Sequence, residues 1–190
     1  MSIAHFIKDK VIKNSTVLEV YTKPFSTYRK SFKKGDILTQ FGQIERKAYF
    51  LISGITESSI EKDGELKIID FVFPSQFICS YTSFLLQTPS EIQTKAITDC
   101  EVEYFLKEDL EKAYQESIIA NQFGRYVTEQ FFITKLKREN DFLTKSSKEM
   151  YLDLIKKRPE ILKKIPVNKI AKYLGIHPES LSRIRAEIIS

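Results

Sequence analysis

Histidine and cysteine are nearly absent from this chain, with two of each in 190 residues. Cys79 and Cys100 stand 21 positions apart without CxxC spacing. That excludes a disulfide scaffold and a four-thiolate cluster, and the pair reads as small buried residues in a reduced compartment. His5 and His177 lie far apart in sequence without obvious partner ligands, so no metal site is expected. No apolar run approaches the roughly 18 residues that a membrane span needs. The opening MSIAHFIKDKV lacks a basic segment leading into an apolar one with a cleavage site. A cytoplasmic protein with no membrane partner is the expectation that follows. No P-loop, GxGxxG, nucleophile–base pair or metal-spaced histidine cluster is found either. Neither enzymatic chemistry nor a cofactor is therefore expected.

What is present is unevenly charged. The net charge is +5, but from Leu143 onward 11 Lys and Arg face 5 Asp and Glu, while the first 142 residues are close to neutral. A basic end on a neutral body suggests a polyanion-binding module attached to a domain with another task.

The texture changes twice along the chain. Residues 3–22 begin as a helix (Ile3, Phe6, Ile7, Val11), with a second short segment after Asn14-Ser15-Thr16. Between Phe25 and Phe105, β-rich runs recur at 28–32, 48–52, 56–60, 66–73, 92–97 and 101–106, separated by turn residues. Asp63-Gly64 between two such runs is a strong hairpin signal. Strands at this spacing without intervening helices predict an antiparallel sandwich or jelly roll.

From Leu106 to about Asn140 a proline-free stretch predicts one long helix, weakened only at Gly124. Ile119, Phe123, Tyr126, Gln130 and Ile133 fall near one stripe, widened by Phe131, Phe132 and Leu136. Some 25 helical residues would reach about 38 Å. Such a stripe serves either intramolecular packing alone or a homodimer, and its excess of large apolar groups favours a dimer helix packed partly on its own β domain and partly on its two-fold mate. Residues 141–146 read as a hinge, and Ser146 with Glu149 as a capping box. The next helix stops at Pro159, and a further turn at 160–165 ends at Pro166. The expected fold is α+β in three parts: a β sandwich or jelly roll with N-terminal helices (1–107), a long dimerisation helix and hinge (108–142), and a helix-turn-helix domain (143–190).

The last part carries the functional signal. Pro166-Val167-Asn168 starts a helix with Ile170, Ala171 and Leu174 inward. Gly175 suits a left-handed corner, and His177-Pro178 opens a second helix. On that helix Leu181, Ile184 and Ile188 cluster within about 60° at 100° per residue, with Glu179 and Arg183 on the opposite side and Ser182 and Ala186 flanking them. Such a helix can anchor its apolar stripe and offer a polar ridge to the major groove of double-stranded DNA. Glu179, Ser182 and Arg183 are the candidate base contacts. Lys163, Lys164, Lys169, Lys172 and Arg185 are the candidate phosphate contacts. The blander alternative is a helical hairpin whose charges are merely solvated. Another is a small-molecule sensor or interaction module whose basic tail binds a protein or RNA.

Several short blocks stand in a fixed order: Lys34-Gly35-Asp36, Gly42, residues 49–54 (YFLISG), Asp63-Gly64 and residues 98–102 (TDCEV), then residues 170–176 (IAKYLGI) and 179–183 (ESLSR). By these blocks the chain resembles the Crp–Fnr family of bacterial transcription regulators over nearly its full length. The resemblance implies a cyclic-nucleotide-binding-type jelly roll, a dimerisation helix and a winged helix. It further implies base reading by Glu179, Ser182 and Arg183 on a palindromic operator. RNA polymerase is an added candidate partner. Many family members have a β hairpin after the recognition helix. With Ser190 last, any wing is expected before Pro166 or not at all. On the ligand side the sequence departs from relatives that bind cyclic AMP. Cys79-Ser80 stands where they have Gly-Glu, and Ser90-Glu91-Ile92 where they have Arg-Ser/Thr-Ala. No arginine lies between Lys47 and Arg125. Cyclic AMP is therefore not expected to bind in the usual way. The effector is unidentified, and the corresponding segment (Ser80, Tyr81, Ser83, Ser90, Gln93) reads as a site for a neutral metabolite or as a filled vestige.

Overall fold

Strand β3 (Lys47–Ser53) shows why the middle of the chain folds as a two-faced sheet. Ala48, Tyr49, Phe50 and Leu51 are all buried, because alternate side chains enter different cores. Tyr49 and Leu51 point into the interior between the sheets, whereas Ala48 and Phe50 point out under helices. The structure, a computed structural model, describes residues 1–12 and 24–189. The expected short segment after Asn14-Ser15-Thr16 falls outside the described residues.

The remaining strands are β1 (Tyr28–Phe32), β2 (Ile37–Thr39), β4 (Thr56–Lys62), β5 (Glu65–Val72), β6 (Phe77–Ile78), β7 (Gln93–Ala96) and β8 (Cys100–Leu106). They form two antiparallel four-stranded sheets, ordered β1-β8-β3-β6 and β2-β7-β4-β5. This is the expected jelly roll within an α+β chain. The short strands β2 and β6 were not anticipated. Asp63 and Gly64, with φ of 54° and 74°, make the two-residue turn between β4 and β5. Opposite Ser58 and Ser59 a register shift adds a residue to β5. The shift changes the strand's parity, so Ile68 and Phe71 both face outward, in one cluster with Phe73.

Helix α1 (Ile3–Phe6) continues as a π turn over Ile7–Val11. Ser2 caps it by accepting the His5 N–H, and Ile3 and Ile7 are buried beneath it. Phe6 meets Phe50, Phe77, Phe123 and Tyr126 edge-on, with centroids 5.2–6.5 Å apart.

Beyond the short α2 (Tyr81–Leu86) that follows β6, the single long helix expected after Leu106 is two helices, α3 (Lys107–Glu116) and α4 (Ile118–Thr144). Ser117 is the reason. It adopts φ −137° and ψ 119°, and its hydroxyl accepts the Ala120 N–H to start α4. The Asn121 amide donates to Tyr114 O (2.6 Å) and Ser117 O (3.0 Å), satisfying carbonyls at the end of α3. The bend lays Tyr114 across Gly124, where a Cβ would sit 2.6 Å from Tyr114 Cζ and closer still to its hydroxyl. The glycine is thus a packing requirement at a helix crossing. Gly124→Ala should destabilise the fold by about 1–3 kcal/mol through overpacking, measured by urea unfolding. Tyr114→Leu in the same chain should recover part of the loss.

The expected six-residue hinge is much shorter, because α4 runs to Thr144. Only Lys145 (φ −111°, ψ 144°) is extended before Ser146 caps α5 (Ser147–Lys157). The capping box forms as anticipated, with the Ser146 hydroxyl and the Glu149 carboxylate each accepting the other's backbone N–H. The Ser146 hydroxyl also donates to that carboxylate at 2.7 Å, and this bond, with the one from the Ser146 N–H, holds the Glu149 carboxyl below its usual range. Then come α6 (Ile161–Lys164), α7 (Val167–Leu174) and α8 (Pro178–Ile189). Their apolar faces form one cluster with Ile55, Ile68, Phe71, Phe73 and Ile97 of the roll, so these helices close their core against the β4–β5 sheet.

Candidate nucleic-acid interface and ligand cavity

Ile170, Ala171 and Leu174 bury one side of α7. Gly175 then turns the chain with φ 70°, and the Ile176 N–H returns to Ala171 O at 3.0 Å. Leu181, fully buried, fixes α8 from beneath, and Ile184 packs beside it. Ile188, expected to be a third anchor, is 38% exposed, because α8 projects past the cluster by its last turn. Glu179, Ser182 and Arg183 are all exposed on the side of α8 away from Leu181. At its far end α8 is tied to α5 by Lys148 and Glu187, 2.8 Å apart, a pairing that lowers the Glu187 carboxyl.

The five candidate phosphate contacts are not equivalent. Lys163, Lys164 and Lys172 are exposed, and Arg185 is half-buried. Lys169 is engaged inside the chain, its ammonium paired with the buried carboxylate of Glu57 on β4. The other carboxylate oxygen of Glu57 is buried without a hydrogen-bond partner among the described residues. Beside this pair Tyr173 packs on Phe71 with centroids 5.1 Å apart. The Arg138 guanidinium of α4 lies 3.9 Å from the Tyr173 ring and donates to Tyr173 O (3.2 Å). Lys145 bridges Asp141 and Asp153 at 2.7 and 2.6 Å, joining α4 to α5 across the one-residue joint.

Helix α4 carries apolar residues on two opposite sides. Ala120, Phe123, Gly124 and Val127 face the roll or pack at its edge. Phe132, Ile133, Leu136 and Leu143 are exposed, at 43–78%. The sequence stripe falls between the two. Of its members, Phe123 is 1% exposed within the chain's own core, Ile119 and Tyr126 are half-buried, and Gln130 and Ile133 are exposed. Hydrophobic spacing alone does not separate faces that lie half a turn apart on one helix.

Between α4 and the roll lies a cavity of about 170 Å³, bounded by Phe77, Phe84, Phe105, Phe123, Val127 and Phe131 among others. Of the five residues read as an effector pocket, Tyr81 alone lines it. Ser80, Ser83 and Ser90 are buried and bonded to their own loop. Ser90 Oγ lies 2.7 Å from Ser80 Oγ, and Ser83 Oγ accepts the Glu45 N–H (2.9 Å) and donates to Thr88 O (2.6 Å). Gln93 reaches Gln40 at 3.5 Å. The cavity was missed because most of its lining is apolar and aromatic core drawn from segments remote in sequence.

Residues 29–117 match the cyclic nucleotide-binding domain family. Among curated proteins none matches the chain by sequence. Among solved structures, a putative transcriptional regulator of the Crp–Fnr family from Eubacterium rectale is similar at 17% identity and TM-score 0.68, over 94% of this chain and 85% of that one. FixK2 from Bradyrhizobium japonicum is similar at 20% identity and TM-score 0.65, over 86% and 84%. CLP, the c-di-GMP responsive global regulator of Xanthomonas campestris, is similar at 16% identity and TM-score 0.63, over 85% and 86%. The likeness runs through the roll and the helices alike, and it establishes the fold.

Proposed function

We propose that this chain, a cyclic nucleotide-binding domain within the fold of Crp–Fnr regulators, is a sequence-specific DNA-binding transcription regulator acting as a homodimer. The observation that carries the reading is α8: Leu181 is fully buried beneath it, while Glu179, Ser182 and Arg183 stand exposed together on its outer side. A guanidinium and a carboxylate one turn apart suit a guanine edge and a cytosine amine. Lys163, Lys164 and Lys172 supply a sequence-independent grip on phosphates. Selection of bound oligonucleotides from a random pool should return a two-fold symmetric consensus, and an asymmetric or absent consensus would refute the proposal.

The outer side of α4 is the dimer surface in this reading. It keeps Phe132, Ile133 and Leu136 in water although the opposite side already satisfies the chain's own core. Phe132→Asp with Leu136→Asp should yield a folded monomer by sedimentation velocity at concentrations where the unaltered chain is dimeric. Charges on both sides of a two-fold seam meet their own copies in a desolvated contact. An unchanged sedimentation coefficient would place the dimer elsewhere.

The sensor domain should not respond to cyclic AMP. Among the described residues no arginine lines the cavity, so a cyclic phosphate there would be desolvated without a guanidinium partner. Addition of cyclic AMP at millimolar concentration should leave the melting temperature unmoved. A rise of several degrees would contradict this.

A further inference from the structure

We infer that the cavity beneath α4 binds a small, uncharged, apolar molecule of about the size of one aromatic ring. The inference rests on the regulator reading only in so far as that molecule is called an effector.

Size sets the first limit. The cavity holds about 170 Å³, close to the roughly 150 Å³ of apolar protein cavities that stay dry and take up benzene. Chemistry sets the second. Phe77, Phe84 and Phe105 form one side, and Phe123, Val127 and Phe131 of α4 the other. Several of the polar side chains around it are already engaged. Ser58 is bonded to Thr94 at 2.9 Å, the Tyr81 hydroxyl lies 2.7 Å from Thr128 Oγ1, and the Cys79 thiol donates to Lys47 O at 3.6 Å. A polar ligand entering here would exchange water for a wall with few free donors or acceptors, whereas an apolar one gains burial. Two charged residues line the cavity, Asp70 and Lys135, and they face one another at 3.7 Å. Their fields largely cancel, which disfavours a charged ligand of either sign. Burial pushes the Cys79 thiol up and the Tyr114 phenol up to about 12, so both stay uncharged at neutral pH.

The occupant would sit where the roll meets the helix that holds α7. Phe131 packs on Tyr81 with centroids 5.2 Å apart, Lys135 lies over the Phe131 ring, and Arg138, one turn further along α4, stacks on Tyr173 of α7. A molecule pressing on Val127 and Phe131 thus acts on the same helix side that grips the C-terminal helices.

Toluene titrated into the full chain is the test, followed by calorimetry and by thermal shift. Saturable one-to-one binding with a raised melting temperature is expected. Val127→Phe and Ile92→Phe each place a ring in the cavity from opposite walls. Either variant that keeps its circular dichroism spectrum should lose toluene binding at least tenfold. Absence of saturable binding to the unaltered chain would overturn the inference, as would undiminished binding by both folded variants or displacement of toluene by cyclic AMP. DNA retardation is measured on the same samples. Its absence in the unaltered chain would count against the regulator reading while leaving the toluene result to judge the cavity.

Discussion

Phe123→Ala should lower the unfolding free energy by about 3–5 kcal/mol, the upper range for truncating a buried aromatic ring. Phe123 is 1% exposed and sits where α4, α1 and the roll converge. Phe25, Phe77, Phe105 and Phe6 surround it at centroid distances of 5.2, 5.6, 6.0 and 6.5 Å. These neighbours are rigid rings held by four separate segments (α1, the stretch before β1, β6 and β8), so the space left by truncation cannot collapse in one movement. The loss therefore combines transfer, cavity and aromatic-contact terms. Urea unfolding should show the midpoint falling with little change in slope. Phe123→Leu, which retains most of the volume, should lose less than half as much. A loss under about 1 kcal/mol for the alanine variant would mean that α4 is not seated on the roll as described.

Arg183→Ala should weaken binding to the cognate operator by about 1–3 kcal/mol and relax the preference at a single base position. Arg183 is exposed and half a turn away from the buried Leu181, so removing its guanidinium should not disturb the packing of α8. The contrast must come from a lysine that holds phosphate alone. Lys169 is a poor choice, because its removal also strands the buried carboxylate of Glu57 and would lower stability along with DNA affinity. Lys172, exposed on α7, is the cleaner one. Lys172→Ala should weaken all sequences about equally and reduce the salt slope by about one counterion. If both variants lowered affinity without altering base preference, base reading by α8 would have to be abandoned.

The parts of the fold legible in the sequence were those governed by local rules. Asp63-Gly64, Gly175 and the Ser146–Glu149 pair each announce a backbone geometry that only a few residue types satisfy, and each is found in place. The break at Ser117 was legible in principle. Serine is a common helix cap, but the residues on both sides of it, Ala113–Glu116 and Ile118–Gln122, continue a helix-compatible stretch without proline or glycine and mask it. The exposure of Ile188 depends on where the neighbouring cluster ends, which periodicity does not encode. The ligand cavity is a property of volume between elements remote in sequence. Phe77, Phe105 and Phe131 lie on a strand, a second strand and a helix, and nothing in their local surroundings distinguishes a wall from a filled core.

The C-terminal helices share their hydrophobic cluster with Ile55, Ile68, Phe71, Phe73 and Ile97 of the sheet. Any swing of α7 and α8 away from the roll must uncover that whole patch at once, since close-packed side chains offer no partly separated arrangement of comparable energy. Separation of these helices from the roll would accordingly be all-or-none. Amides of α7 and of strand β5 should then exchange their hydrogens at matching rates, as members of one cooperative unit.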